Sequence, residues 1–356
     1  MTVTAAPIRV GILNDLTAGP PDPANIESWL RRVIDEYVAA GRLDRDVEFV
    51  YAWGLGLPSG TAAAVERALK SLVDQDVLLI VGPAIGDNAL AVTPLVEALR
   101  VPTINWAGTE RARGEYMFHL QVGSHEDESI VLARYLQSIG TTRVGVVHDR
   151  SPIGQRYLQF LQAEADVVGL RIVSVASIAP LADRAAAEVA HLLDGNVDAI
   201  AYLGLGIAVS AVARELAHRQ WHQPRVLNTA GLRGYSPEFA RAIDGWVYVD
   251  MHSDHNKTLR ELRRRWGVAP RFSLAAAKGF DLGRLIAEGL SRASERTREG
   301  VKAGLELVKY MPAAEGHEGT LLGFGKQDRG ALHGRYLVLR QWRNGETVEV
   351  RSPDDL

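Results

Sequence analysis

A chain of 356 residues, 47% hydrophobic and 23% charged, is long enough for two domains that each bury a core, and its formal net charge of -3 gives no reason to look for a nucleic acid partner. No apolar run approaches the ~20 residues needed to cross a bilayer, so no membrane insertion is expected. Cysteine is absent, which excludes disulfides, thiolate catalysis and Cys-ligated metals.

The stretch before Ile8 is short and carries no charged side chain. It lacks the basic start and the apolar run of a signal peptide. The chain as written is therefore expected in the cytoplasm, or in the periplasm or cell envelope if a leader was omitted. Residues 8–13 form the first strand. Gly19, Pro20, Pro21 and Pro23 then forbid helix or central strand, and Asp22-Pro23 reads as a cap with a first-turn proline. A helix carries Ile26, Trp29, Leu30, Val33 and Tyr37 at helical spacing. Residues 47–53 are the second strand and 61–72 the next helix. The apolar run 77–81 is short enough for a strand buried on both faces. Gly82-Pro83 breaks it, Asp87 or Asn88 can cap the helix that follows, and a strand over 101–105 ends in the turn Ala107-Gly108-Thr109.

After an extended link over 116–122 the alternation restarts. Helices are predicted over 126–139, 153–168, 184–193 and 209–219. Strands are predicted over 143–148, 171–176, 199–203 and 225–228. A short helix starts near Ser236-Pro237, and 247–251 is extended. The chain then turns helical over 257–266, 272–293 and 297–310. It closes in short strands, with a hairpin turn at Asn344-Gly345. Two βα blocks, then helices, then a β tail predict an α/β fold: two doubly wound parallel-sheet lobes joined by a multi-strand hinge. The helices after residue 251 need a sheet to cover. Lobe 1 is thus expected over 1–119 plus 252–318 and lobe 2 over 120–251 plus 319–356, with the ligand cleft between them. In such sheets ligands bind outside the carboxyl ends of the strands.

This order of elements resembles the type I periplasmic binding proteins, in particular the branched-chain amino-acid-binding group of ABC transporter solute-binding proteins, over nearly the whole chain. The residues that carry it are Val81-Gly82-Pro83 before a helix, Val101-Pro102-Thr103-Ile104 leading to Ala107-Gly108-Thr109, and Val144-Gly145-Val146-Val147-His148-Asp149 followed by Ile153-Gly154. Further on come Lys278-Gly279-Phe280-Asp281 and the stretch 316–324. The resemblance implies that the loop after Gly82-Pro83 and the turn at Ala107 and Thr109 hold the ligand carboxylate through N–H groups and hydroxyls. The family's serine in the first loop falls on Gly86, which keeps only an N–H. Asp87 and Asn88 follow it. The aromatic contact falls on Ile153, and the acid that holds the ligand ammonium falls near Ala230.

The residues also admit other readings. Gly204-x-Gly206 follows a strand, but Val209 stands at the third position and Asn228 where an acid belongs, so a tight turn at the ligand edge outweighs a dinucleotide site. His218 and His222 lack the Glu and third ligand of a zinc helix. His252 and His255 suit hinge hydrogen bonding better than a metal. Arg263-Arg264-Arg265 reads as an exposed helix face. No G-x-S-x-G elbow occurs, and His148-Asp149 has no identifiable nucleophile, so His148 is read as a ligand contact or a loop-structuring residue rather than a catalytic one. Asn105, Trp106 and Thr109 end a strand at the ligand edge, while Tyr202 and Arg233 lie on the corresponding edge of lobe 2.

The expectation is a non-enzymatic small-molecule-binding protein with no catalytic residue, cofactor or metal. Its ligand is a carboxylate or amide with an apolar or aromatic body, and its protein partner an ABC permease. A cytoplasmic sensor of the amide-sensing type, acting on a regulatory protein, is the alternative.

Overall fold

The computed structural model describes residues 6–17 and 26–350; the predicted Asp22-Pro23 cap lies outside them. In chain order the elements begin with β1 (Ile8–Asn14), α1 (Ile26–Ala39), β2 (Val47–Trp53), α2 (Ala62–Val73), β3 (Leu79–Val81), α3 (Gly86–Leu99), β4 (Thr103–Asn105) and β5 (Met117–His119). There follow α4 (His125–Ser138), β6 (Arg143–Asp149), α5 (Pro152–Val168), β7 (Arg171–Ile178), α6 (Ala186–Asp194), β8 (Ala199–Leu203), α7 (Val209–His218), β9 (Arg225–Leu227), a 3-10 turn over Thr229–Tyr235, α8 (Pro237–Ala240) and β10 (Val247–Asp250). The chain ends with α9 (Lys257–Trp266), α10 (Ser273–Arg292), α11 (Arg298–Glu306), β11 (Met311–Pro312), β12 (Leu321–Leu322), β13 (Leu332–His333), β14 (Val338–Arg343) and β15 (Glu346–Glu349). No helix among the described residues is long and apolar enough to cross a membrane.

The chain divides into two compact units. Unit 1 comprises Met1–Val122 and His252–Tyr336, and unit 2 comprises Gly123–Met251 and Leu337–Leu356. The last passage into unit 2 comes at Leu337, later than the sequence reading at 319. The reason is packing: Leu322, Phe324, Ala331 and Leu332 belong to the same buried cluster as β1, α1 and α10, and β11, β12 and β13 form a small antiparallel sheet there.

Unit 1 holds a five-stranded sheet in the order β2-β1-β3-β4-β5, parallel throughout. Side chains alternate across a strand, and here both sides are covered. Leu79 and Val81 pack with Leu30, Ile34, Leu282 and Leu285, whereas Ile80 packs with Val65, Leu69, Val92 and Val96. That double burial explains why this strand reads as an unbroken apolar run. Thr61 caps α2 by accepting the Ala64 N–H at 3.2 Å. Where α10 meets α1, a Cβ on Gly279 would lie 2.5 Å from the Ile26 carbonyl oxygen, and one on Gly283 2.8 Å from Val33 Cβ. Glycine lets the two helix backbones approach. Gly279→Ala is expected to lower stability by ~1–3 kcal/mol through overpacking, measured by thermal melting.

Unit 2 holds a seven-stranded sheet in the order β15-β14-β10-β9-β8-β6-β7. Its strands β6 to β10 are parallel, and the terminal hairpin β14–β15 adds antiparallel to β10. Asn344 and Gly345 both have positive φ, 53° and 78°, as a two-residue hairpin turn requires. Val147, Ile200, Tyr202 and Leu227 pack with Val189, Leu192, Val212 and Leu216. The alternate residues Val146, Ala201 and Val226 are fully buried as well, so this sheet too is covered on both faces.

Candidate functional site

The carboxyl ends of the parallel strands give one candidate surface in each unit. In unit 1, β1 runs into Asp15, which is 1% exposed. Its carboxylate accepts the N–H groups of Ala84 (2.8 Å) and Ile85 (3.0 Å) and the Asn88 side-chain amide (2.8 Å). Burial still pushes its carboxyl above the ordinary value, against the pull of those donors. The amide oxygen of Asn88 accepts the Leu57 N–H at 3.0 Å. The start of α3 is thus closed by an acid from β1. Its N-cap is Ile85, with no side-chain cap, which corrects the expectation that Asp87 or Asn88 caps it. Asn88 sits inside the helix, and its amide ties three loops together. The Gly86 N–H donates to no protein group among the described residues.

The turn after β4 is built by Asn105, which is fully buried. Its amide donates to the Ala112 and Phe118 carbonyls, both at 2.8 Å, and its oxygen accepts the Ala107 N–H at 3.3 Å. The Ala107 N–H, expected to face a ligand, is therefore already engaged. The Gly108 and Thr109 N–H groups have no protein acceptor among the described residues. The Thr109 hydroxyl accepts from the Arg111 N–H at 3.4 Å, which leaves its proton to donate. Trp106 is half-buried and lines a recess within unit 1 together with Ile12, Leu13, Leu16 and Val81 and the acids Asp15 and Glu27. The free donors of this surface are thus Gly86, Gly108 and Thr109, while the recess at Trp106 is partly apolar and partly acidic.

In unit 2, β6 ends at His148 and Asp149. His148 is 8% exposed, and its Nδ1 lies 3.0 Å from the Asp149 carbonyl oxygen. The Asp149 carboxylate is fully buried. It accepts a short hydrogen bond from the Tyr202 hydroxyl and one of 2.6 Å from the Leu205 N–H. Burial raises its carboxyl, while the Tyr202 and Leu205 bonds and the nearby Arg233 charge pull the other way. Gly204 fits between because it has no side chain: a Cβ there would lie 2.3 Å from the Asp149 carboxyl carbon. Asn228 brackets the same residue, accepting the Gly204 N–H at 3.3 Å and donating to its carbonyl at 3.0 Å. Arg233, in the 3-10 turn after β9, donates through Nε to the Leu205 carbonyl.

Ile153 (3% exposed) and Ala230 (4%) are buried apolar side chains at this edge. The sequence reading missed Glu128, an acid that reaches the residue next to Ala230. It accepts the Thr229 N–H at 2.6 Å, the Ser124 N–H at 2.8 Å, the Tyr157 hydroxyl at 2.6 Å and the Thr229 hydroxyl at 3.3 Å. Burial pushes its carboxyl up to about 7. Only its place in the first turn of α4, after the N-cap Ser124, was visible in sequence. Fully buried and ringed by four donors, it has no face for a ligand. Tyr202, itself fully buried, presents its hydroxyl to Asp149.

No curated protein matches this sequence. Among solved structures, a type 1 periplasmic binding protein from Bordetella pertussis superposes with a TM-score of 0.80 at 19% identity, covering 97% of this chain and 100% of that one. A leucine-binding protein from Thermotoga maritima gives 0.78 at 16% identity, covering 98% and 100%. An ABC transporter substrate-binding protein from Desulfitobacterium hafniense, in complex with Leu, gives 0.76 at 15% identity, covering 97% and 100%. These likenesses establish the two-lobe α/β fold of type I periplasmic binding proteins. The sequence profile described as periplasmic binding protein matches residues 7–345, and with nearly the whole chain inside that match, this protein belongs to the periplasmic binding protein family.

Proposed function

We propose that this protein is the substrate-binding component of an ABC-type importer, and that its ligand is a carboxylate or amide with an apolar or aromatic body rather than a standard α-amino acid. The observation that carries the ligand class is the missing partner for an ammonium group. Ile153 and Ala230 are buried and apolar. The nearby acids Glu128 and Asp149 have their oxygens engaged by protein donors. A desolvated ammonium without a charge partner costs several kcal/mol, order of magnitude ~3 or more. The free Gly86, Gly108 and Thr109 donors suit a carbonyl or carboxylate oxygen, and Trp106 offers an aromatic wall for an apolar body.

Calorimetry with benzoate, phenylacetate, isovalerate, their primary amides, leucine and valine tests the ligand class. The acids or amides are expected to bind more tightly than either amino acid. Thr109→Val is expected to weaken the best of them by ~1–2 kcal/mol, the scale of one hydrogen bond lost from a buried polar partner. Micromolar leucine binding that ignores Thr109→Val overturns this reading. For the transport role, cell fractionation decides: protein confined to the cytosol rules it out.

A further inference from the structure

Arg233 lies in the 3-10 turn that follows β9, and its guanidinium is held on one side only. Its Nε donates to the Leu205 carbonyl, while the N–H of the same residue donates to Asp149. One residue, Leu205, thus links a buried acid to a half-buried base. The guanidinium also lies 5.6 Å from the centre of the Phe239 ring. These contacts fix its plane. Its Nη1 and Nη2 donate no hydrogen bond, and no carboxylate comes within ion-pair distance among the described residues. Asp149 and Glu238 are close enough to be felt electrostatically, but neither bridges to it. Other arginines of unit 2 also lack a carboxylate, but they are engaged elsewhere: Arg143, Arg150 and Arg214 donate to backbone carbonyls, and the Arg225 guanidinium lies 5.9 Å from the centre of the Trp246 ring. Arg233 instead keeps a fork of free donors at the carboxyl edge of β8 and β9. A pre-oriented fork matches the two oxygens of a carboxylate.

Resting on the proposed solute-binding role, we infer that Arg233 is an oxyanion anchor at the unit 2 edge, so that the ligand is a carboxylate anion and not the neutral amide. The guanidinium stands near the place where the family resemblance puts an acid for an ammonium group, and the charge preference of the edge is thereby reversed. Asp149, Tyr202 and Leu205 are positioning residues: Tyr202 donates to Asp149, Asp149 holds the Leu205 N–H, and the Leu205 carbonyl holds Arg233. The small loop residues around it are consistent with this. Gly204 leaves room for the Asp149 carboxylate, and Gly206 lies against Ala230, where a Cβ would come within 2.7 Å of the Ala230 Cβ.

The test is the ratio of acid to amide affinity, measured by calorimetry for three shape-matched pairs: benzoate and benzamide, phenylacetate and phenylacetamide, isovalerate and isovaleramide. In the wild type the acid of the binding pair is expected to be at least ten-fold tighter than its amide. Arg233→Gln is expected to bring the two within three-fold of each other, chiefly by weakening the acid. Arg219→Gln, on the surface of unit 2, leaves the ratio in place. Arg233→Lys keeps the charge but cannot hold the Leu205 carbonyl and chelate a carboxylate together, and is expected to lose at least five-fold in acid affinity. It also decides the matter if Arg233→Gln does not fold. An amide that binds the wild type as well as its acid, or an unchanged ratio in Arg233→Gln, or unchanged acid affinity in Arg233→Lys, overturns the anchor while the solute-binding role stands. Failure of every acid and amide to bind, with leucine bound, overturns both.

Discussion

Replacing Lys278 by Met is expected to destabilise unit 1 by ~3–5 kcal/mol, the cost of stranding one member of a buried ion pair. Lys278 is 2% exposed, and its Nζ lies 2.6 Å from Glu315 Oε1, whose side chain is fully buried. The same ammonium donates to the Gln121 carbonyl at 3.2 Å. Without it, the Glu315 carboxylate sits in low dielectric with its main counter-charge gone. Burying both ions is itself expensive. The double variant Lys278→Met/Glu315→Leu is therefore expected to recover most of the loss. A double-mutant cycle by urea denaturation reads the coupling directly. A single variant within 1 kcal/mol of wild type would show that the pair contributes nothing of this kind.

The surrounding residues explain why Lys278-Gly279-Phe280-Asp281 stands out in the sequence. Gly279 admits α1. Phe280 meets the Trp266 ring edge-on, with centroids 5.6 Å apart. Asp281, also fully buried, accepts the Ala314 and Glu315 N–H groups at 2.9 Å. Four consecutive residues serve four different contacts within unit 1.

What the sequence revealed and what it hid follow from the range of each interaction. Strand β8 and helix α9 have the predicted bounds, because apolar period and caps are local signals; Asn256 accepts the Leu259 N–H at the start of α9. The ends of α11 and the small sheet β11–β13 were less legible. Their strands are only two residues long, too short for a period to emerge, and so the return to unit 2 was placed too early. The candidate surfaces were legible as places and not as donor sets. That Asp15 would occupy Ala84 and Ile85 depends on pairing across 69 and 70 residues. The Glu128 contact to Thr229 spans 101 residues. Asn105 looked like a ligand contact because it ends a strand, yet its amide holds the turn that presents Gly108 and Thr109. Arg233 was placed at the lobe 2 edge from its position, but the bond from its Nε to the Leu205 carbonyl spans 28 residues and has no local sequence signal.

Glu128→Gln is expected to change the stability of unit 2 in a pH-dependent way, and the sign follows from burial. The folded carboxyl is pushed up to about 7 from an ordinary 4.5, with desolvation the largest cause and the Tyr157, Thr229 and Ser124 donors opposing it. A carboxyl raised on folding holds its proton longer in the folded state. Its stabilising share is complete below the unfolded value near 4.5 and is lost as pH rises through about 7. The full swing is roughly 3 kcal/mol at 1.36 kcal/mol per unit. Glutamine has the same shape but carries a fixed NH2. In one orientation that group faces the Ser124 N–H, and in the other the Thr229 N–H, so donor opposes donor at a cost of ~1–3 kcal/mol. The wild type is therefore expected to exceed Glu128→Gln in stability most at pH 5, and the gap to narrow or invert by pH 8. Urea denaturation at both pH values measures the gap, and amide exchange at Ser124 and Thr229 assigns it to this site. A gap that stays constant from pH 5 to pH 8 would mean that the four donors keep Glu128 ionised throughout, with hydrogen bonding outweighing desolvation.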